Sequence, residues 1–451
     1  MKLSIVRDKE FYKMLITITI PIALQNLISF GLNMVDTVML GSLGENQISA
    51  SSIANQPYFI FTVFMFGLAS GACVLTAQYW GKGDTNAISK IMTLAIRASV
   101  ICSLFFAFIV LVFSEGVIGF YTQDKDVIVL GAQFLRIIGF SYILSAISTT
   151  YLYILRSIEN VTVPLIINSI SFVVNVALNW VLIFGKFGFP AMGIRGSATA
   201  TLFARITELI LTVIYASFFD KRLRIKLSDF LVVDKLLLKD FLHYSLPVVI
   251  NETLWALGQS MQSVVIGHIS SEVVAANSIA GVVQRLATVL IMGVANFTAI
   301  AVGKQIGAGN IKTAENYAST LLILSALLGV VSSAIILIIR EPFLTIYSVG
   351  GATRSYTLQI LGIYALTTLF SCFNSTNIVG VLRGGGDTRF AMYLDLVVLW
   401  FAALPLGGIA GLILKLPIPL VFFFLTIDEP IKLLIGLARF KSKKWARNVT
   451  R

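Results

Sequence analysis

Charged side chains are scarce in this chain of 451 residues. Asp, Glu, Lys and Arg together make up 12% of the sequence, against roughly 25% in an average soluble domain, whereas hydrophobic residues make up 57%. So few charges cannot cover the surface of a soluble protein of this length. The composition therefore excludes an ordinary soluble enzyme and predicts a polytopic membrane protein.

Cysteine and histidine are also rare, with three and two residues. Because Cys73, Cys102 and Cys372 all fall inside apolar runs, no disulfide framework is predicted. His243 and His268 stand at opposite ends of one run, too far apart to share a metal ion. No HExxH sequence, Walker A loop or paired nucleophile and base appears, so no cofactor is expected and neither an ATP-driven pump nor a membrane-embedded enzyme is favoured.

Apolar runs of about 20 residues or more are abundant, and each is long enough to cross the hydrocarbon core as a helix. Since the runs are continuously apolar and not alternating, they predict helices and not strands. The twelve predicted spans are 14–39, 49–78, 88–113, 127–152, 163–184, 194–218, 241–266, 275–302, 315–339, 354–380, 389–414 and 417–438. The predicted fold class is an all-α membrane protein with 12 transmembrane helices.

The second half of the chain repeats the first. Residues 21–84 align without a gap on residues 247–310, and 13 of the 64 aligned positions are identical. The repeat continues, since 156–160 aligns with 383–387. The latter contains a Gly-x-Gly-Asp string known from intramembrane aspartyl proteases, but its partner at Asn160 is not an acid, which favours a structural turn. Each half has an even number of crossings, which predicts two parallel six-helix bundles around a central cavity.

The distribution of positive charge orients the chain. Four of the 34 Lys and Arg residues lie within three positions of a span's start and are counted with the adjoining segment. On that count 23 lie on one face, 6 on the other and 5 deeper within spans. By the positive-inside rule the face with 23 is cytoplasmic, and both termini lie on it. This distribution accounts for the net charge of +12 without a nucleic acid partner.

Three segments are predicted from this topology. Residues 1–218 form an N-lobe and residues 241–451 form a C-lobe that ends in a basic, solvated cytoplasmic tail. Residues 219–240 join them, and their mixture of basic and apolar residues predicts an amphipathic segment on anionic lipid headgroups.

Carboxylates inside the spans are the candidate functional residues, because a charge at the bilayer centre costs about 2.5–3.5 kcal/mol. Asp36 and Glu252 have no cationic residue one helical turn away. Asp395 lies closer to the cytoplasmic end of its span and fits a structural and a functional role equally well. In the last span, Glu429 and Lys432 are placed to pair locally.

A carboxylate among amides and hydroxyls is predicted where the first, fifth and sixth spans meet. Asn175 and Asn179 are four residues apart and lie on one helical face. Asp36 and Asn179 stand at the same level in the outer half of the membrane, and Thr199 and Thr201 reach that level from the sixth span. One net charge among hard oxygen ligands suits Na+ or a proton on Asp36. The alternative is a buried polar cluster that only fixes helix packing.

Three sequence patterns resemble those of a known family. They are Pro21 followed by Val35-Asp36-Thr37 and Gly41, the Gly-x-Gly-Asp/Asn turns, and the Leu-Arg-Gly-Gly-Gly-Asp-Thr sequence at 382–388. With the doubled twelve-helix plan, they resemble the multidrug and toxic compound extrusion (MATE) family, in particular its bacterial NorM-like and DinF-like members. The similarity covers essentially the full length.

The resemblance implies roles for several residues. In that family an aspartate on helix 1 and an Asn-xxx-Asp pair on helix 5 are implicated in cation or proton coupling. Asp36 and Asn175 match them, and Asn179 replaces the second acid. NorM-type members also use a helix 7 glutamate, matched by Glu252, and a helix 10 aspartate, whose position is close to Asn374.

The resemblance further implies a secondary active exporter of organic, often cationic and lipophilic compounds, driven by Na+ or H+ antiport. We expect a monomer in the bacterial inner (plasma) membrane, in contact with lipids and small-molecule substrates. A substrate cavity is expected to contain Glu252, Asn26, Tyr58, Gln262 and Asn374. The alternatives are a flippase of lipid-linked oligosaccharides from the same superfamily, which would want a strongly basic cavity, and a membrane-embedded enzyme.

The topology can be tested by cysteine labelling. Single cysteines at positions 45 and 268 of a cysteine-free variant are expected to react with a membrane-impermeant thiol reagent in intact cells, because both positions are predicted outside. A cysteine at position 225 is expected to react only after permeabilisation. Labelling of position 225 in intact cells would contradict the predicted orientation.

Overall fold

The computed structural model of the protein describes residues 5–223, 227–230, 234–345 and 350–451. Over these ranges the chain is helical almost throughout and has no strand, which confirms the predicted all-α fold class. Position 225, used in the labelling prediction, and parts of the expected headgroup-binding segment lie outside the described residues.

The helices follow the chain with short connections. They are α1 (Lys9–Gly41), α2 (Glu45–Lys82), α3 (Thr85–Val112), α4 (Ser114–Gly119), α5 (Lys125–Ser157), α6 (Thr162–Phe184), α7 (Ile194–Ile214), α8 (Lys235–Gly267), α9 (Ser271–Gly307), α10 (Ile311–Leu344), α11 (Gly351–Ser375), α12 (Thr388–Val398), α13 (Leu404–Gly408), α14 (Ile418–Leu425) and α15 (Asp428–Lys441). Wider π-helical turns extend α7 to Phe219 and α11 to Arg383, and they connect α12 through α13 to Ile413.

The described helices account for the predicted spans. Ten helical segments are long and apolar enough to cross a membrane, so the protein is a multi-pass membrane protein. The other two predicted spans correspond to α8 and to α14 with α15. The last span was predicted as one continuous helix, which is wrong, because the chain turns at Thr426 and Ile427 between α14 and α15.

Polar residues at helix starts set several boundaries. Asp84 accepts the Ala87 N–H at 2.9 Å at the start of α3, and Ser270 accepts the Val273 N–H at 3.3 Å at the start of α9. At the start of α8, the backbone N–H of Leu237 and the ammonium of Lys90 hold the pKa of Asp234 below its ordinary value. These caps satisfy N–H groups that have no partner within their own helix.

The chain forms two compact units. The N-terminal unit consists of Leu24–Thr76 and Asp84–Val249. The C-terminal unit consists of Met1–Ala23, Ala77–Gly83 and Ile250–Arg451. The start of α1 and the end of α2 therefore belong with the second half of the chain, and the start of α8 belongs with the first half.

Each unit has its own hydrophobic core. In the N-terminal unit the Phe61 and Tyr142 rings stack with their centroids 4.5 Å apart, and Tyr58 lies 5.5 Å from Tyr142. In the C-terminal unit one core cluster includes Val381 and Trp445, which are fully buried. Trp445 belongs to the tail that was predicted to be solvated, and it is buried, although residues 441–444 are exposed.

Two glycines that the repeat aligns, Gly81 and Gly307, allow α2 and α9 to approach closely within the C-terminal unit. A Cβ atom on Gly81 would lie 1.8 Å from the carbonyl oxygen of Lys304, and one on Gly307 would lie 1.8 Å from that of Gln78. Turn formation was the reason predicted for these glycines. At these two positions the structure shows helix packing as the reason.

We predict that Gly81→Ala destabilises the protein by about 1–3 kcal/mol, because the added methyl group overlaps a backbone atom that cannot move alone. Thermal unfolding of the purified protein, followed by fluorescence-detected size exclusion, measures the effect. Gly362→Ala is the matched control, because a Cβ atom there meets nothing within 4 Å. Equal unfolding temperatures for the two variants would contradict the packing role.

Candidate functional site

In the N-terminal unit, four of the predicted coupling residues form one hydrogen-bonded chain. The Asn179 amide of α6 donates to the Asp36 carboxylate of α1, and to Asn175 Oδ1 at 2.8 Å. The Asn175 amide in turn donates to Thr201 Oγ1 of α7 at 3.2 Å. We call Asp36, Asn175, Asn179 and Thr201 the Asp36 network. It joins three helices at one carboxylate.

The Asp36 network is polar inside an apolar unit. Asn175 and Asn179 are 1% and 0% exposed, whereas Asp36 is half-buried. Asn179 Oδ1 has no hydrogen-bond partner in the described part of the chain. A carboxylate beside an unpartnered carbonyl oxygen offers hard oxygen ligands, which fit Na+, and the same carboxylate can carry a proton.

Thr199 was predicted at the level of Asp36 but takes a different contact. Its hydroxyl donates to the Arg195 carbonyl of its own helix at 2.8 Å. Thr199 is therefore not a hydrogen-bonded member of the Asp36 network as this structure describes it.

A cation lies close to the network. Arg205 lies one helical turn after Thr201 and forms an ion pair with Glu208, at 2.5 Å. Glu208 also accepts a hydrogen bond from Ser148 at 2.6 Å, and its side chain is 2% exposed. The guanidinium is close enough to Asp36 to act on its charge. The i,i+4 spacing from Thr201 is the signal that could have revealed this.

In the C-terminal unit, Glu252 is paired. Its Oε1 lies 2.6 Å from Nη1 of Arg383, a residue that is 3% exposed. The prediction of an unpaired glutamate is therefore wrong, because a search one turn along the same helix cannot find a partner at the end of α11. The Arg383 side chain is also buried, although Arg383 belongs to the sequence at 383–387 that was predicted to form a structural turn.

Lys432 holds two other carboxylates. Its Nζ lies 2.6 Å from Asp395 on α12 and 2.6 Å from Asp428, one turn earlier on α15. The predicted Glu429–Lys432 pair is replaced by these contacts, and Glu429 instead accepts a hydrogen bond from the Asn374 amide at 2.7 Å. Asp395 also accepts from the Asn251 amide at 3.1 Å.

Together these groups form a cluster with more acids than bases, which we call the C-terminal charge cluster. Its members are Glu252, Asp395, Asp428, Glu429, Arg383 and Lys432. Four carboxylates face two cations, and an excess of buried negative charge is costly unless a proton or another cation is taken up. Asn251 Oδ1, in a side chain 1% exposed, has no hydrogen-bond partner among the described residues and borders this cluster.

The residues predicted for a substrate cavity are divided between the units. Tyr58 packs against the aromatic core of the N-terminal unit, and Asn26 is half-buried in the same unit. Gln262 donates to the Leu425 carbonyl at 2.8 Å, and Asn374 is 3% exposed and bound to Glu429. Glu252 thus belongs to the C-terminal charge cluster, and Asn374 borders it.

The chain crosses the membrane many times as helices and holds polar and charged groups inside each of two units, as membrane transporters do. The MatE family model matches residues 21–181 and 247–409, one segment in each half of the repeat. The chain therefore belongs to the MatE family, whose members are transporters and not enzymes.

Related sequences and structures agree with this assignment. The chain is 26% identical to the probable multidrug resistance protein NorM of Thermotoga maritima, covering 97% of this chain and 94% of that protein. It is 24% identical to the uncharacterized transporter YisQ of Bacillus subtilis, covering 97% and 95%. A variant of the Vibrio cholerae MATE transporter VcmN has the same fold, with a TM-score of 0.88 at 15% identity and 98% coverage of both chains.

We predict that Arg383→Gln destabilises the protein by about 3–5 kcal/mol, because it leaves Glu252 buried without its cation. The Glu252→Gln/Arg383→Gln double variant is expected to recover most of this loss. Thermal unfolding of the wild type, the two single variants and the double variant measures the coupling. Arg354→Gln, which removes an exposed ion pair to Glu341, is the control. Additive effects of the two single substitutions would contradict the pairing.

Proposed function

We propose that this protein is a secondary active exporter that moves organic, often cationic and lipophilic compounds out of the cell in exchange for Na+ or H+. The observation that carries the proposal is the Asp36 network, in which one carboxylate is linked to two buried amides and a hydroxyl. Relatives such as the probable multidrug resistance protein NorM of Thermotoga maritima support the substrate class.

The Asp36 network gives a physical route from ion binding to conformation. When Asp36 is ionised, its hydrogen bond from Asn179 is charge-assisted and therefore strong. A proton or Na+ on the carboxylate weakens that bond and reduces the electrostatic attraction to Arg205. Since Asp36 is on α1 and its partners are on α6 and α7, loading the ion changes how α1 is held.

The C-terminal charge cluster supports a cationic substrate or coupling ion. Its four carboxylates outnumber its two cations, so a bound positive charge would be favourable there. Glu252 is a member of this cluster and Asn374 borders it; with Asn26, Tyr58 and Gln262 they are the residues that we propose contact substrate. The flippase alternative would want a strongly basic site for an anionic lipid-linked substrate, which this excess of acids does not provide.

We place the protein in the bacterial plasma membrane with both termini in the cytoplasm, on the basis of the distribution of Lys and Arg along the sequence. It acts as a monomer, surrounded by lipid, and no cofactor besides the coupling ion takes part. By analogy with transporters built from parallel repeats, the N-lobe and C-lobe predicted from the sequence rock to give alternating access.

The experiment that tests this function is gradient-driven dye efflux. We predict that Asp36→Asn reaches the membrane and binds dye normally but loses efflux, because asparagine keeps the shape and cannot release a proton or hold Na+ by charge. Proteoliposomes with separately imposed Na+ and H+ gradients measure the transport and identify the ion.

The control is Glu115→Gln, which removes an exposed carboxylate in an ion pair with Arg136 and is expected to leave efflux unchanged. Wild-type efflux rates in the Asp36→Asn variant would eliminate the coupling role of this residue. If wild-type protein moves no dye under either gradient, the proposed export function is wrong.

A further inference from the structure

The end of the chain is bound along its length within the C-terminal unit. Residues 445–451, which we call the carboxyl-terminal strap, follow α15 after a turn at Lys443, whose φ is +57°. Trp445 is fully buried, its ring stacks on Phe440 at 5.7 Å, and its indole N–H donates to the Phe440 carbonyl at 3.1 Å. This tryptophan fixes the start of the strap in the hydrophobic core.

The strap then binds the glycine turn that the sequence pattern at 382–388 provides. The Arg447 N–H donates to the Gly385 carbonyl at 2.8 Å. Asp387, which is 1% exposed, forms ion pairs with Arg439 at 2.7 Å and with Arg447 at 3.1 Å. Two basic residues of the tail therefore neutralise one buried carboxylate of the turn.

The glycines of this turn make room for the strap. A Cβ atom on Gly385 would lie 2.6 Å from the Trp445 ring, and one on Gly386 would lie 2.6 Å from Val449. Gly386 also has a φ of +85°, which favours glycine. The packing of the strap gives this glycine-rich pattern a physical reason that neither ion coupling nor substrate binding supplies.

The strap also holds the last turn of α2. Gln78 is 0% exposed, and its amide donates to the Gly384 carbonyl at 3.2 Å and to the Arg447 carbonyl at 3.1 Å, while its Oε1 accepts the Val449 N–H at 2.9 Å. Lys82 donates to the carbonyl of Arg451. One buried side chain thus joins α2, the glycine turn and the strap.

Gln78 lies close to the point where α2 passes from one compact unit to the other. Residues 45–76 of α2 belong to the N-terminal unit, whereas its end, Ala77–Gly83, belongs to the C-terminal unit. Any motion that shifts one unit against the other must bend α2 or release its last turn. The contacts that resist release are the close glycine packing against α9 and the three hydrogen bonds of Gln78.

We propose that the carboxyl-terminal strap is a latch that sets how readily the end of α2 opens from the C-terminal unit. The contacts of the strap with Gln78 and Lys82 exist only while the end of α2 is packed in the C-terminal unit, so the strap favours that packed state by its differential binding. That the opening serves alternating access rests on the proposed function. The latch itself does not.

Hydrogen–deuterium exchange of the full protein in lipid nanodiscs tests the latch. The first variant ends after Trp445, so the core residue stays in place, and the second is Gln78→Leu in the complete chain. In both we expect residues 77–83 to exchange about tenfold faster or more, because buried hydrogen bonds that oppose local opening are lost. Asn448→Ala is the control, since this exposed side chain bonds only within the strap, to Thr450.

Two results would overturn the latch. One is unchanged exchange of residues 77–83 in either variant. The other is a uniform increase across α9 to α12 in both variants, which would show general destabilisation. The exchange comparison requires no substrate or gradient, so it decides the latch even if the wild-type protein moves no dye and the proposed export function fails.

Discussion

The cost of holding charge inside an apolar, membrane-spanning protein is the constraint on which the internal organisation depends. Helices satisfy their own backbone groups, so lipid places few limits on the main chain once the spans are long enough. Each buried carboxylate, in contrast, needs a cation, a hydrogen-bond donor or a proton. The two units meet this need in different ways.

In the N-terminal unit, Asp36 receives a hydrogen bond from Asn179, and Arg205 stays paired with Glu208 nearby. Asp36 therefore has an amide as its hydrogen-bond partner, and the nearby cation is shared with another acid. In the C-terminal unit, Glu252 and Asp395 have cationic side chains within 2.6 Å. These carboxylates are paired with cations, and the further acids Asp428 and Glu429 give the C-terminal charge cluster its excess of negative charge.

This difference arises although the two halves descend from one repeated sequence. The repeat aligns Asp36 with Gln262 and Glu252 with Asn26, so each half keeps an amide where the other has an acid. The repeat preserves the positions of the helices. The exchange of acids for amides places the buried carboxylates of the two halves at different positions. The N-terminal unit therefore holds one acid among amides and a hydroxyl, and the C-terminal unit holds a cluster of salt bridges.

Regular spacing made part of the candidate site predictable. The i,i+4 relation of Asn175 and Asn179, and their level relative to Asp36, depend only on helix geometry. The partner of Glu252 was missed because it lies on another helix. For Lys432, sequence spacing allowed a pair with either Asp428 or Glu429, and the rotation of α15 against α12 selected Asp428 together with Asp395.

By itself, the sequence determined the membrane class, the helical spans, the doubled plan and the family resemblance. These properties are sums or periodicities over neighbouring residues, and hydropathy and helix geometry act locally along the chain. Only the tertiary structure decided that Arg383 neutralises Glu252, that Gln78 anchors the chain end, and that α2 runs from one compact unit into the other. Ion pairs and buried hydrogen bonds require atoms within a few Å, and packing brings together residues whose separation along the chain gives no sign of the contact.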